Sequence, residues 1–543
     1  MKLRLILLTL FCGFSPLWAA VTLPAVIANG MVLQREMNLP IWGWGTAGDA
    51  VSVGFAGQTV KSSVAADGSW KVELQALEAS AESRVMRIVV GSDSIDLADV
   101  VVGEVWVCSG QSNMGFSLDA SARPTRDAKD QPVADYIKAE LSTHFDPLIR
   151  QITSPMTTSY DQEKTSFNGA WVKADSEANK KPFTAAGYFF AKELRAKLNV
   201  PIGLLKCPWG GKKIQPFIPS TQYKKDAALS KYYNESRAKL AERLKTYDAD
   251  KAEAKYQVAL TAWKEKVKKA KAAGKRAPRR PNKQVSPALD PNFPSTLYNA
   301  MVNPLVPYGI KGAIWYQGES NAGGAAANGF GYETYLRTLV DGWRDRWGQG
   351  DFPLYYCQLA QFKAVPTEPV DANGWVDVCN DMRKALTHKN VGMAVLNDCG
   401  EVSDIHPRNK VDAGKRLALW ALAKDYGFYL VYSGPLYKSH TTAGNKVTVD
   451  FESVGEGLLT ARKHLLDPAK PVDEAVKGFQ ICGKDRKWQW AKAKITGKST
   501  VVVWHPNIAE PDEVRYAWAA NPGGANLYNK SGLPTSVFST KGN

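Results

Sequence analysis

Three residues in separate parts of the sequence have the side chains of a hydrolytic site. Ser112 lies in a Gly-Gln-Ser-Asn turn directly after an apolar run. Its hydroxyl becomes a nucleophile once a base takes its proton and nearby donors stabilise the oxyanion. His406 can be that base, and Asp404, two residues before it, can be the acid that orients the ring. Because a serine after a strand is also a common turn residue or helix cap, the hypothesis depends on the fold bringing the three residues together.

Other chemistries compete for the same residues. A lipase of the α/β-hydrolase type needs a Gly-x-Ser-x-Gly elbow, and Met114 stands where its last glycine should be. Glu319 and Asp404 could instead be the paired carboxylates of a glycosidase, whose separation the sequence cannot measure. A protein without catalysis could bind glycans through its β domains and tryptophans. Hydrolysis without sugar release would separate a serine hydrolase from the binding protein, and sugar release indicates the glycosidase.

The middle of the chain alternates strands with helices, and several strands end in polar, glycine-containing clusters. Strands are predicted over residues 101–108, 200–205, 310–316, 352–359 and 392–396, and helices over 183–198, 332–347 and 410–426. This alternation is typical of a parallel sheet covered by helices on both faces. In such sheets the carboxyl ends of the strands carry the site. The sequence therefore predicts an α/β domain over 99–428 with its site at that edge.

Both flanks of this domain are predicted to be β structure. Residues 21–98 contain short alternating runs between Gly, Asp and Asn turns, which indicate a small N-terminal β-sandwich. Residues 429–543 return to short strands with Gly and Pro turns, which predicts a second β domain. The Gly43, Gly45 and Gly48 spacing matches a dinucleotide-binding fingerprint, but a strand follows it rather than a helix, so these are turn residues.

A basic segment interrupts the α/β pattern. Residues 224–283 contain 19 Lys or Arg and 7 Asp or Glu, a net charge of +12 in a chain whose total is +16. Apolar residues recur at helical spacing on both sides of a break at 248–250, which predicts a helical hairpin inserted into the α/β domain. The rest of the chain is close to neutral, so the charge says little about the active site. Nucleic-acid binding is not expected, because residues 1–20 indicate export and the residues above indicate catalysis. Contact with anionic glycans or a cell surface is the remaining role for this charge.

Composition limits the class of protein further. With 44% hydrophobic and 10% aromatic residues, the 543-residue chain can form packed cores. Residues 1–20 are typical of a signal peptide, with Lys2 and Arg4 before an apolar run and small residues Ala19 and Ala20 at the cleavage site. We therefore expect an exported protein, periplasmic or extracellular, without an integral membrane domain. Six cysteines remain once the leader is removed. We expect most of them to be buried free thiols, and export permits one or two disulfides among them.

Four sequence blocks, taken in order, resemble the sialate O-acetylesterase family, a branch of the SGNH hydrolases. They are Gly110-Gln111-Ser112-Asn113-Met114, Trp209-Gly210-Gly211, Trp315-Tyr316-Gln317-Gly318-Glu319-Ser320-Asn321 and Asp404-Ile405-His406-Pro407. Runs near both ends also resemble the family, so the resemblance covers nearly all of the mature chain except the basic insertion. It implies an SGNH-type (flavodoxin-like) three-layer α/β fold with a parallel sheet, flanked by N- and C-terminal β-sandwich domains.

The resemblance also implies residue roles. Ser112 would be the nucleophile, and His406 the base and later the acid. The oxyanion hole would use the backbone N–H of Gly211 and the side-chain amide of Gln317, with Asn321 as the alternative. No metal or other cofactor is implied. The activity implied is removal of O-acetyl groups from sugars, with O-acetylated sialic acid first and acetylxylan or another polysaccharide as the alternative.

Two departures from the family pattern leave alternatives open. The wider SGNH pattern has an aspartate three residues before the histidine, where this chain has Ser403, so Asp398 or a Ser–His dyad remains an alternative to Asp404. The second block continues with Lys212 and Lys213 where the family often has a threonine, so one of these lysines could face the substrate.

Overall fold

A computed structural model describes residues 21–323, 329–369 and 374–541. The predicted signal peptide, residues 1–20, lies outside the described residues. Within the described ranges, no helix is both long enough and apolar enough to cross a membrane.

The N-terminal strands are joined to the central sheet through one long strand. They are β1 (Val32–Gln34), β2 (Leu39–Trp44), β3 (Ala50–Phe55), β4 (Gln58–Ser63), β5 (Ser69–Leu74), β6 (Ser80–Val90) and β7 (Asp93–Gly110). The first half of β7 pairs with β6, and its second half enters the central sheet. Strands β2 and β5 form a separate two-stranded sheet whose Ile41 and Val72 lie in the same core as Val53 of β3. The boundary expected at residues 98–99 thus falls inside β7.

The central sheet is almost entirely parallel. Its further strands are β8 (Asp146–Thr153), β9 (Val172–Ala174), β10 (Ile202–Lys206), β11 (Gly312–Tyr316), β12 (Leu354–Cys357) and β13 (Val391–Ala394). The order is β13-β12-β11-β7-β10-β8-β9, and only the edge strand β9 is antiparallel to its neighbour. This arrangement confirms the predicted mixed α/β architecture around a mostly parallel sheet. The polar segments that follow β7, β10 and β11 therefore emerge side by side at one edge.

The helices are distributed along the chain between these strands. They are α1 (Ser112–Gly115), α2 (Leu118–Ser121), α3 (Gln131–Thr143), α4 (Glu177–Lys180), α5 (Ala185–Leu198), α6 (Ser220–Tyr223), α7 (Ala227–Thr246), α8 (Ala249–Ala272), α9 (Tyr332–Trp347), α10 (Gly374–Lys384) and α11 (Lys410–Lys424).

Helices cover both faces of the sheet, and the alternation along β7 shows why. Val105 and Val107 belong to one core with residues of α9 and α10, whereas Trp106 and Cys108 belong to a second core with residues of α3, α5 and α11. Successive side chains of a strand point to opposite faces, so an apolar run without alternation requires a cover on each side.

The basic insertion folds as predicted, as two helices. Asp248 caps α8 by accepting hydrogen bonds from the backbone N–H groups of Asp250 and Lys251, which ends α7 and starts the second helix. At the base of the hairpin, Tyr232 packs against Tyr335 of α9, and Tyr223 stacks on Tyr233. The hairpin is thus attached to the α/β domain by aromatic contacts, while most of its lysines are solvent-exposed.

The C-terminal part consists of β sheets, as predicted. Its strands are β14 (Leu436–Ala443), β15 (Lys446–Glu452), β16 (Leu458–Arg462), β17 (Lys470–Pro471), β18 (Phe479–Cys482), β19 (Gln489–Trp490), β20 (Lys492–Ile495), β21 (Thr500–Trp504), β22 (Glu513–Tyr516), β23 (Leu527–Asn529) and β24 (Phe538–Ser539). They form the sheets β14-β15-β21-β20, β17-β16-β23 and β19-β18-β22-β24. The six cysteines of the described residues are free and buried, as expected of structural thiols in a large core.

The end of β7 requires a glycine. Gly110 has a φ of +134°, and a Cβ atom there would lie 2.2 Å from the carbonyl oxygen of Tyr316 at the end of β11. We expect Gly110→Ala to lower the free energy of unfolding by more than about 2 kcal/mol, because it adds both backbone strain and a steric clash. Chemical denaturation of the purified protein measures this.

Gly48→Ala is the matched control for that substitution. Gly48 also has a positive φ, of +89°, but a Cβ atom there has no neighbour within 4 Å. Backbone strain alone should cost about 1–2 kcal/mol. Equal losses in the two variants would contradict a special close approach at Gly110.

Candidate active site

Hydrogen bonds between the ends of three adjacent strands assemble one edge of the site. The backbone N–H of Gln111, after β7, donates to the Tyr316 carbonyl at 2.9 Å. The backbone N–H of Trp209, after β10, donates to the Gly110 carbonyl at 3.0 Å. The first three sequence blocks therefore meet at the carboxyl edge of the sheet, as the strand pattern predicted.

Ser112 lies at this edge and is accessible. It is the first residue of the short helix α1, and its side chain is half-buried, whereas its neighbours Gln111 and Asn113 are buried. A Cβ atom on Gly210 would be 3.3 Å from the Cβ atom of Ser112, so the glycine backbone of the second block lies against the serine. A side chain at residue 210 would therefore crowd Ser112.

The fourth block lies at the same edge, where two contacts connect it to the Ser112 loop. The Asn113 side-chain amide donates to the Ile405 carbonyl at 3.1 Å. The rings of Phe116 and His406 stack with their centroids 5.5 Å apart and their planes 10° from parallel. The fold thus brings together the Ser112 and His406 segments, which are almost 300 residues apart in sequence.

Asp404 is placed to orient His406. Its Oδ1 accepts the backbone N–H of His406 at 3.0 Å and lies 3.5 Å from the ring Nδ1. Its Oδ2 binds the guanidinium groups of Arg408, at 2.9 Å, and Arg126, at 3.3 Å. Burial acts to raise the pKa of Asp404, but these donors outweigh it and hold the pKa below its ordinary value, so the carboxylate stays charged.

His406 is held in the neutral form that a general base needs. Burial lowers the pKa of His406 below its ordinary value, and the Lys410 ammonium lowers it further, whereas Asp404 acts in the opposite direction. Lys410 is itself buried, with its Nζ 5.0 Å from the centre of the Phe116 ring, and burial lowers its pKa to about 8. At neutral pH the imidazole is therefore ready to accept a proton.

Asp398, the alternative orienting acid, is bound elsewhere. Its two carboxylate oxygens form a bidentate pair with Arg416, at 2.6 and 2.9 Å, and one also accepts the Tyr528 hydroxyl. The hydrogen bonds of the described residues do not link Asp398 to His406. The geometry around the histidine therefore favours Asp404 over Asp398.

The two amides expected at the oxyanion hole belong to a buried network. The Gln317 Nε2 is within hydrogen-bond distance of Asn321 Oδ1, at 2.8 Å, of the Lys212 carbonyl, at 3.1 Å, and of Gln111 Oε1, at 3.2 Å. Asn321 in turn donates to Gln215 and accepts the backbone N–H of Ile214. Both side chains are fully buried, so in this arrangement they connect the second and third blocks to the first.

Neither lysine of the second block forms an ion pair with a carboxylate among the described residues. The Lys212 Nζ lies 5.8 Å from the Trp209 ring centre, and Lys213 is exposed. Gly211, the expected backbone donor, is exposed with a φ of +71° and open space around it.

Glu319 and Asn113 form a second buried contact, which the sequence pattern did not predict. The Asn113 amide donates to Glu319 Oε1 as well as to Ile405, whereas Asn113 Oδ1 and Glu319 Oε2 are buried without a partner among the described residues. Burial raises the pKa of Glu319, and the Asn113 amide acts to lower it. Asn113 therefore bridges the third and fourth blocks, which gives Glu319 a positioning role. Among the described residues no cluster of His, Cys, Asp and Glu has the geometry of a metal site.

The pH dependence of catalysis tests the Asp404–His406 contact. In the wild type, kcat/KM should fall as the pH drops through the His406 pKa, below the ordinary value of 6.5, because the base becomes protonated. Asp404→Asn removes the negative charge that favours imidazolium. It should therefore lower the His406 pKa, so that the acid limb of the profile, where kcat/KM falls, moves to lower pH. It should also reduce kcat by at least about tenfold.

Glu401→Gln is the control for this prediction. Glu401 also binds Arg408 but does not contact His406, so its substitution should leave the acid limb in place. An unchanged profile and kcat in Asp404→Asn would instead establish a Ser–His dyad.

Comparison with known proteins identifies relatives along nearly the whole chain. A family model described as a carbohydrate esterase, sialic acid-specific acetylesterase, matches residues 286–422. The sialate O-acetylesterases of Rattus norvegicus and Homo sapiens are 27% and 25% identical, over 91% of this chain and 89% and 87% of theirs. A crystal structure of a carbohydrate acetylesterase from Xanthomonas citri is 32% identical, with a TM-score of 0.76 over 96% of this chain and 100% of that one.

Proposed function

The chain belongs to the sialate O-acetylesterase family of carbohydrate esterases, and on this premise we propose that it releases acetate from O-acetylated sugars through an acetyl-enzyme on Ser112. The observation that carries the residue assignment is the pair of contacts, Asn113 to Ile405 and Phe116 to His406, that hold the serine and histidine segments together. The parallel sheet and the four blocks at its carboxyl edge support placing the α/β domain among the SGNH hydrolases.

The reaction proceeds in two halves. The Ser112 Oγ attacks the acetyl carbonyl carbon while His406 takes the hydroxyl proton, and a tetrahedral oxyanion forms. The bond to the sugar oxygen then breaks, and His406 gives its proton to that oxygen, which leaves as a free hydroxyl. Water next attacks the acetyl-enzyme with His406 as the base. Acetate leaves, and Ser112 regains its proton.

Backbone N–H groups of the second block would stabilise the oxyanion. Gly211 was the expected donor, and the contact of Gly210 with Ser112 supports this segment as the wall of the oxyanion hole. Gln317 remains the first side-chain donor and Asn321 the second. Since their amides bind neighbouring loops, direct donation by either would require an exchange of these hydrogen bonds.

Ser112→Ala tests the mechanism directly. We expect acetate release from O-acetylated sugars to fall by about 10⁴-fold or more, because the proposed acetyl-enzyme cannot form without the Ser112 hydroxyl. The measurement is enzymatic detection of acetate, with thermal unfolding to confirm an intact fold. Ser117→Ala is the control, since Ser117 caps α2 and its loss should cost about 1 kcal/mol of stability without affecting turnover.

The same assay separates the candidate functions. Retained activity in Ser112→Ala would contradict the serine mechanism, and release of free sugar rather than acetate would indicate a glycosidase. Binding without acetate release in the wild type would indicate a glycan-binding protein. Comparing O-acetylated sialic acid with acetylxylan identifies the substrate class, and the named relatives favour the sialate.

Export is the proposed location, supported by the leader-like residues 1–20. The mature protein recovered from the periplasm or medium should begin at Val21, which mass spectrometry of its N-terminal peptide measures. A full-length chain retained in the cytoplasm would contradict export. In that location the basic hairpin of α7 and α8 has anionic glycans or surfaces as partners, and its adsorption to them should weaken as salt is added.

A further inference from the structure

A groove outside the catalytic loops lies where the C-terminal sheets meet the segment after β12. It has a volume of about 300 Å³, at the lower end of the range typical of ligand pockets. Its walls include Val365, Thr367, Phe479, Gln480, Trp490 and Trp518. We refer to it as the Trp490 groove.

One wall presents an aromatic ring held in place. Trp490 is 39% exposed, and its indole N–H donates to the Thr367 carbonyl at 3.0 Å, which fixes the ring at the rim. Trp518, deeper in the groove, is mostly buried, and its indole N–H has no hydrogen-bond partner among the described residues. An exposed tryptophan fixed by its own N–H is a preformed platform rather than a mobile surface residue.

A polar group accompanies these rings. Gln480 is 1% exposed, and its Oε1 accepts the Arg515 Nε at 2.6 Å, which fixes the orientation of the amide. The Gln480 amide lines the groove in this fixed orientation, beside the Trp518 indole N–H, which is buried without a hydrogen-bond partner among the described residues. Buried polar groups are normally satisfied, so the Trp518 N–H suggests an acceptor supplied by a ligand.

This combination matches the chemistry of a sugar ring. A pyranose has an apolar C–H face that packs on an aromatic ring, and hydroxyl groups that accept from amide and indole N–H donors. Ligand sites of this kind are largely apolar, with a few fixed polar groups that set orientation.

One short segment, residues 362–363, connects the groove to the loop that leads to His406. The Phe362 N–H donates to the Ala520 carbonyl at 2.9 Å, and the Asn521 amide donates to the Lys363 carbonyl at 2.6 Å, which attaches this segment to the groove wall. The Lys363 N–H donates to the Val402 carbonyl at 3.1 Å, four residues before His406. Residues 362–363 therefore contact both the groove wall and the loop that leads to His406.

We propose that the Trp490 groove binds a sugar unit of an oligosaccharide substrate, beyond the unit that carries the acetyl group. The proposal rests on the proposed esterase function and extends it: the enzyme recognises a chain of sugars rather than an isolated acetylated sugar. Trp490 would contribute by packing on the sugar and Trp518 by donating its indole N–H to a hydroxyl, and neither takes part in the chemical step.

Three substrates test the proposal: 4-nitrophenyl acetate, an O-acetylated monosaccharide and an oligosaccharide carrying the same acetylated unit. The wild type should have a lower KM for the oligosaccharide than for the monosaccharide. Trp490→Ala should raise the oligosaccharide KM about three- to tenfold, the size expected for one aromatic contact, and leave kcat and the two small substrates unchanged. Trp490→Phe should retain most of the preference.

Tyr429→Ala is the matched control, because Tyr429 is a fully exposed aromatic residue outside the groove. The absence of an oligosaccharide preference in the wild type, or an equal loss on all three substrates in Trp490→Ala, would overturn the proposal. Calorimetric binding of the deacetylated oligosaccharide to the Ser112→Ala protein reports on the groove independently of catalysis. Binding that Trp490→Ala weakens about threefold or more would support the groove even if the esterase assignment failed, whereas binding that the substitution leaves unchanged would refute it.

Discussion

The close approach of two strand ends is the constraint on which the site depends. At Gly110 the chain passes within contact distance of the Tyr316 carbonyl, and the next N–H, of Gln111, bonds to that same oxygen. Only a glycine fits between the two strands, and its positive φ turns the chain so that Ser112 starts a helix at the edge of the sheet. Ser112, the proposed nucleophile, is thus positioned by the sheet itself, because parallel strands place their carboxyl ends together.

Buried amides then fix the loops relative to one another. Gln317 connects the third block to the first and second, and Asn113 connects the first block to the third and fourth. Each bond joins segments about 100 to 300 residues apart, and burial makes it costly to leave any of these groups unpaired. The chemical step therefore acts on a preformed site, in which the Asp404 and Phe116 contacts hold the His406 ring.

Much of this arrangement follows from local sequence. The helix α9 has the predicted bounds because its apolar residues keep a helical period up to Gly348, and the hairpin divides at Asp248, which is a strong helix cap. Strand β8 was missed because Arg150 and Gln151 interrupt its apolar pattern. Arg150 is buried only because the Gly30 carbonyl and Asp99 accept its hydrogen bonds. The role of Glu319 was also beyond local reasoning, since its partner Asn113 lies 206 residues away and meets it only through the strand order.

Covalent labelling of the nucleophile tests the central claim most directly. A fluorophosphonate, which reacts only with an activated serine, should inactivate the enzyme with one adduct per chain, on the peptide that contains Ser112. Prior substitution of His406 by alanine should prevent the labelling, because the hydroxyl then has no base. Inactivation with the adduct on another residue, or full activity with Ser112 labelled, would contradict a serine esterase built on this sheet edge.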